Sequence, residues 1–206
     1  MAFPVDLTSV LTGVTPSQLA SWRRSGLLVP EVSSRPVRYS FRDLAALRTL
    51  SRLRSDIPLQ RIRKAFEGLS SLDLTDHPSK YVLASLDNTV VLVEENGEMW
   101  DLVRWRGHGV LATLEDVFET FENFRGDTVV DFRRPRAHLE IREKRMGGWP
   151  TIADTRIPYD SIAALVAHGA DSETVTNLYP AVSAGAIEDA VSFGKQVADR
   201  HAGVAA

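Results

Sequence analysis

Near the N-terminus, one helix ends and the next begins within a few residues. In "TPSQLASWRRSGLL", Thr15 to Leu28, Thr15 stands at an N-cap position and Pro16 at the first helical position, where a missing N–H costs nothing. Gly26 stands where a left-handed residue ends a helix. The preceding helix, Leu7 to Leu11 with a short extension, ends near Gly13. Helices this short are marginal in isolation, so both must bury a face against a shared core. The tight spacing between them is that of a helix–turn–helix. Leu19 and Trp22 supply the buried face, which leaves Arg23 and Arg24 flanking it.

Punctuation continues along the chain. Val29-Pro30 and Ser33 to Pro36 break regular structure, and Val37 to Tyr39 reads as a short strand. Ser40 caps a helix whose apolar stripe is marked by Leu44, Leu47, Leu50 or Ser51, and Leu53 or Arg54, with Arg48, Arg52 and Arg54 read as a solvated face rather than readout residues. Asp56 to Pro58 ends it, and a further helix buries Leu59, Ile62 and Phe66. Residues 1–70 hold eleven Lys/Arg against five Asp/Glu, whereas residues 71–146 hold ten against fifteen and residues 147–206 three against seven. The net charge of −3 therefore conceals a basic head on an acidic body, and only the head suits a polyanion. With no cysteine, the chain has no disulfide, thiolate metal site or thiol nucleophile. Neither a membrane span nor a signal peptide is read in the sequence, and a cytoplasmic protein is expected.

Helix, turn, helix, arginine-bearing wing, helix, helix: this order resembles the DNA-binding head of MerR-type regulators. The residues that carry the resemblance are "TGVTPSQLASWRRSGLLVP" and "VRYSFRDLAALRTLSRLRSDIPLQRIRKAF". Such heads usually show Arg and Tyr on the recognition helix, where this chain has Ala20 and Ser21. The resemblance therefore places DNA contacts on Ser17, Gln18, Arg23 and Arg24 and on the wing residues Arg35, Arg38 and Tyr39. Operator binding of this kind implies a homodimer.

Period-two alternation replaces helical spacing from Lys80 onward. "KYVLAS" and "TVVLVEENGEMWDLV" read as strands turning at Asp87-Asn88 and Asn96-Gly97, with Trp100 and Trp105 in the hairpin core. "SSLDLTDHPS" links them to the head. Thr113 caps an expected helix, "LEDVFETFENF", that buries Leu114, Val117, Phe118 and Phe121. Its Glu115, Asp116, Glu119 and Glu122 are read as a wet face rather than a metal site, and His108 alone signals nothing.

In the last third, a strand from His138 to Ile141 leads through "GGWP" and "TIADTRIPY" to three helices. Asp160-Ser161 opens the first and His168-Gly169 closes it; Asp171 caps the second, which ends at Tyr179-Pro180; Ser183 begins the third. Arg156 is read as pinning its turn. No nucleophile–base pair, phosphate loop or metal-ligand cluster is present, so no enzyme, cofactor or metal is expected. The anchors Pro150, Ile152, Thr155-Arg156-Ile157-Pro158, Gly169 and Tyr179-Pro180 resemble a small family of unknown-function domains found in antitoxins, which usually carries Gly where Asp154 stands here.

The expected fold is α+β, mainly α. It comprises a MerR-like winged helix–turn–helix over 1–70, a hairpin-plus-helix unit with its linker over 71–136, and a strand plus three-helix, helix–turn–helix-like domain over 137–206. Head and tail together resemble VapB-type antitoxins. That resemblance implies a PIN-like ribonuclease toxin as partner, operator DNA as a second one, and repression of the protein's own operon. Arg133, Arg134, Arg136, Arg145 and Arg156 are the candidates to plug the toxin's carboxylate cluster. A stand-alone regulator sensing a small molecule is the alternative.

Overall fold

A computed structural model describes residues 2–71, 82–86, 89–93, 99–101 and 117–202. The head opens with α1 (Val5–Thr12) and α2 (Pro16–Arg24), separated by Gly13 in the left-handed region. Thr15 and Gln18 form a capping box: Thr15 Oγ1 accepts from the Gln18 N–H at 3.2 Å, and Gln18 Oε1 accepts from the Thr15 N–H at 2.9 Å. A two-stranded wing, β1 (Ser33–Ser34) and β2 (Val37–Arg38), precedes α3 (Phe41–Asp56). Ser40 and Asp43 repeat the capping box there, and buried Asp43 also accepts from the Glu31 N–H at 3.0 Å, fastening the root of the wing. The head is completed by α4 (Leu59–Ser71).

Three antiparallel strands follow in the order β3 (Val82–Leu86), β4 (Thr89–Val93) and β5 (Met99–Asp101). Buried Leu83, Val90 and Leu92 join the core of the head. The turns expected at Asp87-Asn88 and Asn96-Gly97, most of the linker, Trp105, His108, Leu114, Glu115 and Asp116 lie outside the described residues.

The helix expected over 114–124 is corrected. Val117 and Phe118 are helical, but Phe121–Glu122 is a strand, β6, paired with β7 (Thr128–Val129). Two causes are visible. Asn123 Oδ1 accepts from the Arg125 and Asp127 N–H groups at 2.9 and 3.0 Å, building a tight turn that Gly126 completes at φ +79°. The carbonyls of Val117, Phe118 and Glu119, which a continuing helix would use internally, accept instead from Arg48.

Arg48 overturns a second expectation. Far from lying on a solvated face, it is fully buried. Its five N–H donors meet five backbone carbonyls: Nε that of Val117, Nη1 those of Leu11 and Val130, and Nη2 those of Phe118 and Glu119. Phe121 and Phe132 place their rings 5.2 and 5.4 Å from the guanidinium carbon. Arg52 and Arg54 lie over the rings of Phe121 and Phe124, so the stripe expected in water lies largely against the β6–β7 hairpin.

The C-terminal half pairs β8 (Leu139–Glu140) with β9 (Thr151–Ile152) and continues through α5 (Tyr159–Ala167), α6 (Ser172–Leu178) and α7 (Ala184–Ala202). Asp171 caps α6 by accepting from the Thr174 N–H, and Ser183 Oγ accepts from the Ala186 N–H near the start of α7. α7 packs against both α5 and α1, joining this half to the head. At the junction Trp149 stacks between Phe3 at 5.9 Å and Tyr159 at 6.5 Å, and Tyr159 meets Phe193 edge-on. One continuous cluster of buried side chains runs from Phe3 to Phe193.

Candidate nucleic-acid interface

Trp22 and Leu19 are 3% and 2% exposed, so α2 is held to the core by the face its spacing predicts. Its outer face carries exposed Ser17 and Arg24, with Ala20 and Ser21 half-buried between them. Gln18 is half-buried and committed to the capping box. Arg23 donates from Nη1 to the Ser34 carbonyl at 3.2 Å, tying the end of α2 to the wing and making the two one surface. On the wing Arg35 is exposed, while Arg38 is half-buried and donates to the Val37 carbonyl at 3.0 Å. Arg24 and the Arg35 side chain have no hydrogen-bond or ion-pair partner among the described residues. Helix end and wing thus present their guanidiniums on one side of the head.

Tyr39 leaves this set. It is 1% exposed, and its backbone pairs with Phe3 through bonds of 2.8 and 2.9 Å, which turns the ring into the core. Burial pushes its phenol up to about 12, against the opposing field of Arg23 and with Asp43 adding to the rise. Tyr39 thus anchors the wing to the core and is not part of its exposed surface.

The arginines proposed from sequence as a plug divide in the same way. Arg136 donates to Gln196 Oε1 on α7 at 2.7 Å and lies over the Phe193 ring at 5.4 Å, so it clamps the fold; burial lowers its guanidinium from the ordinary range, opposed by Asp189. Arg145 is 21% exposed and ion-paired with Glu140. Arg133 is exposed, with its guanidinium over the Phe118 ring. Arg134 and Arg156 are exposed, and neither side chain has a partner among the described residues.

Arg156 therefore does not pin its turn. Thr155 does: its hydroxyl donates to the Ile152 carbonyl at 2.9 Å and accepts from the Ile157 N–H at 3.0 Å. Beneath the turn lies Glu140, a group that sequence reasoning missed. Its buried carboxylate receives Arg142 at 2.8 Å, Arg145, and the Asp154 N–H at 2.8 Å. Asp154 aims that N–H inward by adopting φ +58°, the left-handed conformation that favours Gly and that Asp tolerates. An acidic residue inside the apolar run "HLEI", with Arg two and five positions on, was the available signal. The carboxylate is neutralised by two guanidiniums, which makes it a structural centre.

Among the described residues no group of three or more His, Asp or Glu could hold a metal ion, and no helix is long and apolar enough to cross a membrane. Residues 5–69 match the family model of the MerR HTH family regulatory proteins, and residues 139–193 match that of a protein of unknown function, DUF433. The chain thus carries a MerR-family helix–turn–helix domain at one end and a DUF433 domain at the other. No curated protein and no solved structure matches it.

Proposed function

We propose that this protein, a DNA-binding regulator by its MerR-family head, is a non-catalytic, cytoplasmic antitoxin of a type II toxin–antitoxin pair. It inhibits a PIN-like ribonuclease encoded beside it and, as a homodimer, represses the promoter they share. The observation that carries the reading is the division of the basic side chains. Arg23, Arg24 and Arg35 form one basic surface on α2 and the wing, while Arg134 and Arg156, exposed and without a partner among the described residues, lie on the other half of a chain whose body is acidic. A free guanidinium suits the clustered carboxylates with which a PIN-like nuclease holds its metal, because a planar fork pairs with a carboxylate through two charge-assisted bonds.

Co-purification with the product of the neighbouring gene, followed by that product's ribonuclease activity with and without this protein, tests the proposal. Tight binding with loss of activity is expected, and Arg134→Ala with Arg156→Ala together restore activity while leaving promoter binding intact. Absence of binding overturns the antitoxin reading. A stand-alone regulator that senses a small molecule then takes its place, favoured by a cleft between α3 and the segment after β8.

A further inference from the structure

A cleft of about 480 Å³ opens where three parts of the chain meet, with no residue of α2 or of the wing strands in its lining. Phe41, Arg42 and Ala45 come from α3, Phe118, Phe132 and Arg133 from the segments flanking the β6–β7 hairpin, and Ile141, Arg142 and Glu143 from the stretch after β8. Its volume lies within the range of small-molecule sites, ~300–1,000 Å³.

The lining has a definite chemistry. Phe132 meets Phe41 edge-on at 5.3 Å and Phe118 at 5.2 Å, giving an aromatic floor. Above it stand three guanidiniums and a single carboxylate, Glu143. Arg142 is already committed to Glu140, but the Arg42 side chain is 46% exposed and Arg133 is exposed, so both can take a further acceptor. An aromatic floor under an excess of positive charge is complementary to a ring that bears an acid.

We propose that this cleft binds a small aromatic carboxylate, with its ring against Phe118 and Phe132 and its carboxylate between Arg42 and Arg133. Occupancy is coupled to the wing. Arg42 is paired with Glu31 at 3.4 Å, and Glu31 in turn accepts from Ser40 Oγ at 2.7 Å, two residues before β1 begins. A ligand carboxylate competes with Glu31 for Arg42, loosens the root of the wing and lowers affinity for DNA. The coupling rests on the DNA-binding reading of the head, whereas the site itself rests on neither partner.

Isothermal titration of the full chain with benzoate, phenylacetate and indole-3-acetate tests the site, with benzamide and phenylacetamide as uncharged controls. At least one acid is expected to bind saturably at one site per chain, and its amide about tenfold or more weaker, the loss of a charge-assisted contact. Arg133→Gln and Ala45→Phe each weaken the acid by a similar factor. Should Ala45→Phe lower the melting temperature, Arg133→Gln, a change to an exposed side chain, decides alone. No saturable heat from any acid, equal binding of acid and amide, or full affinity in the variant overturns the proposal. The bound acid is also expected to weaken promoter DNA binding, with DNA weakening the acid by the same factor; unchanged DNA affinity overturns the coupling through Glu31. Toxin capture is a separate measurement, so its failure leaves this titration to be read independently.

Discussion

A single guanidinium decides how the segment after residue 116 folds. Arg48 supplies a donor to each of five main-chain carbonyls from α1, the 117–119 stretch and Val130, tying together segments far apart in the chain. Replacing it with Met removes all five donors, and Arg48→Met is expected to destabilise the chain by about 3 kcal/mol or more in urea unfolding. Arg48→Lys retains the charge but has three donors clustered on one atom, and it is expected to lose about 1–3 kcal/mol. Burial lowers the Arg48 guanidinium to about 9, with Asp131 opposing, which still leaves it charged at neutral pH. Tyr39 gives a second residue-scale expectation. Its folded pKa is raised to about 12 and that of an unfolded tyrosine is about 10, so between those values the folded chain keeps a proton the unfolded chain has released. This contribution is fully present below pH about 10 and is lost as pH rises through about 12. Buried Tyr159, raised by burial with Asp160 and Asp6 adding, acts in the same direction. Absorbance at a phenolate wavelength should show these two rings ionising only as the circular dichroism of the fold is lost.

Among the elements, the recognition helix and its wing were legible in outline because capping and turn chemistry are local. Thr15-Pro16, Ser40 with Asp43 and Gly26 each act within four residues, and each stands where its spacing predicts. Which side chains of those elements reach solvent was less legible. Gln18 serves a cap, Tyr39 pairs with Phe3, and Arg23 bridges to Ser34, all contacts that the sequence alone does not locate. Arg24 and Arg35 are the two of this set whose guanidiniums have no partner among the described residues, so they carry the clearest prediction. Arg24→Ala and Arg35→Ala should each weaken promoter binding and reduce the slope of log affinity against log salt by about one per protomer, without changing the melting temperature. An unchanged salt slope in both variants would assign DNA contact to other residues. The helix expected over 114–124 shows the opposite case: its spacing was amphipathic, but the competing donor for the carbonyls of Val117 and Phe118 came from a residue about seventy positions earlier.

Across the whole molecule, the basic head and the C-terminal half share one aromatic seam through Phe3, Trp149, Tyr159 and Phe193. Gly148 is the close contact in that seam: a Cβ there would lie 2.5 Å from Phe41 Cδ2, and its φ of +82° disfavours any side chain. Gly148→Ala should therefore cost about 2–4 kcal/mol, from overpacking and left-handed strain together. Gly126→Ala, at a similar φ with nothing within 4 Å, should cost only the strain, about 1–2 kcal/mol. Calorimetry of the two variants separates these contributions, and Gly148→Ala should lower a single transition, because the core it disturbs is continuous. The sequence by itself determined the capped helices of the head and of the C-terminal half, the wing, the segregation of charge, and the helix–turn–helix and DUF433 domains at the two ends, since caps, turns and apolar periodicity are written in neighbouring residues. Tertiary structure alone decided that Arg48 is a buried hub, that Glu140 is a caged carboxylate, that Arg136 and Arg145 are spent inside the fold while Arg134 and Arg156 have no partner among the described residues, and that a cleft opens between α3 and the segment after β8. Each of these is set by which distant main-chain and charged groups come within hydrogen-bond reach, and local spacing carries no record of that distance.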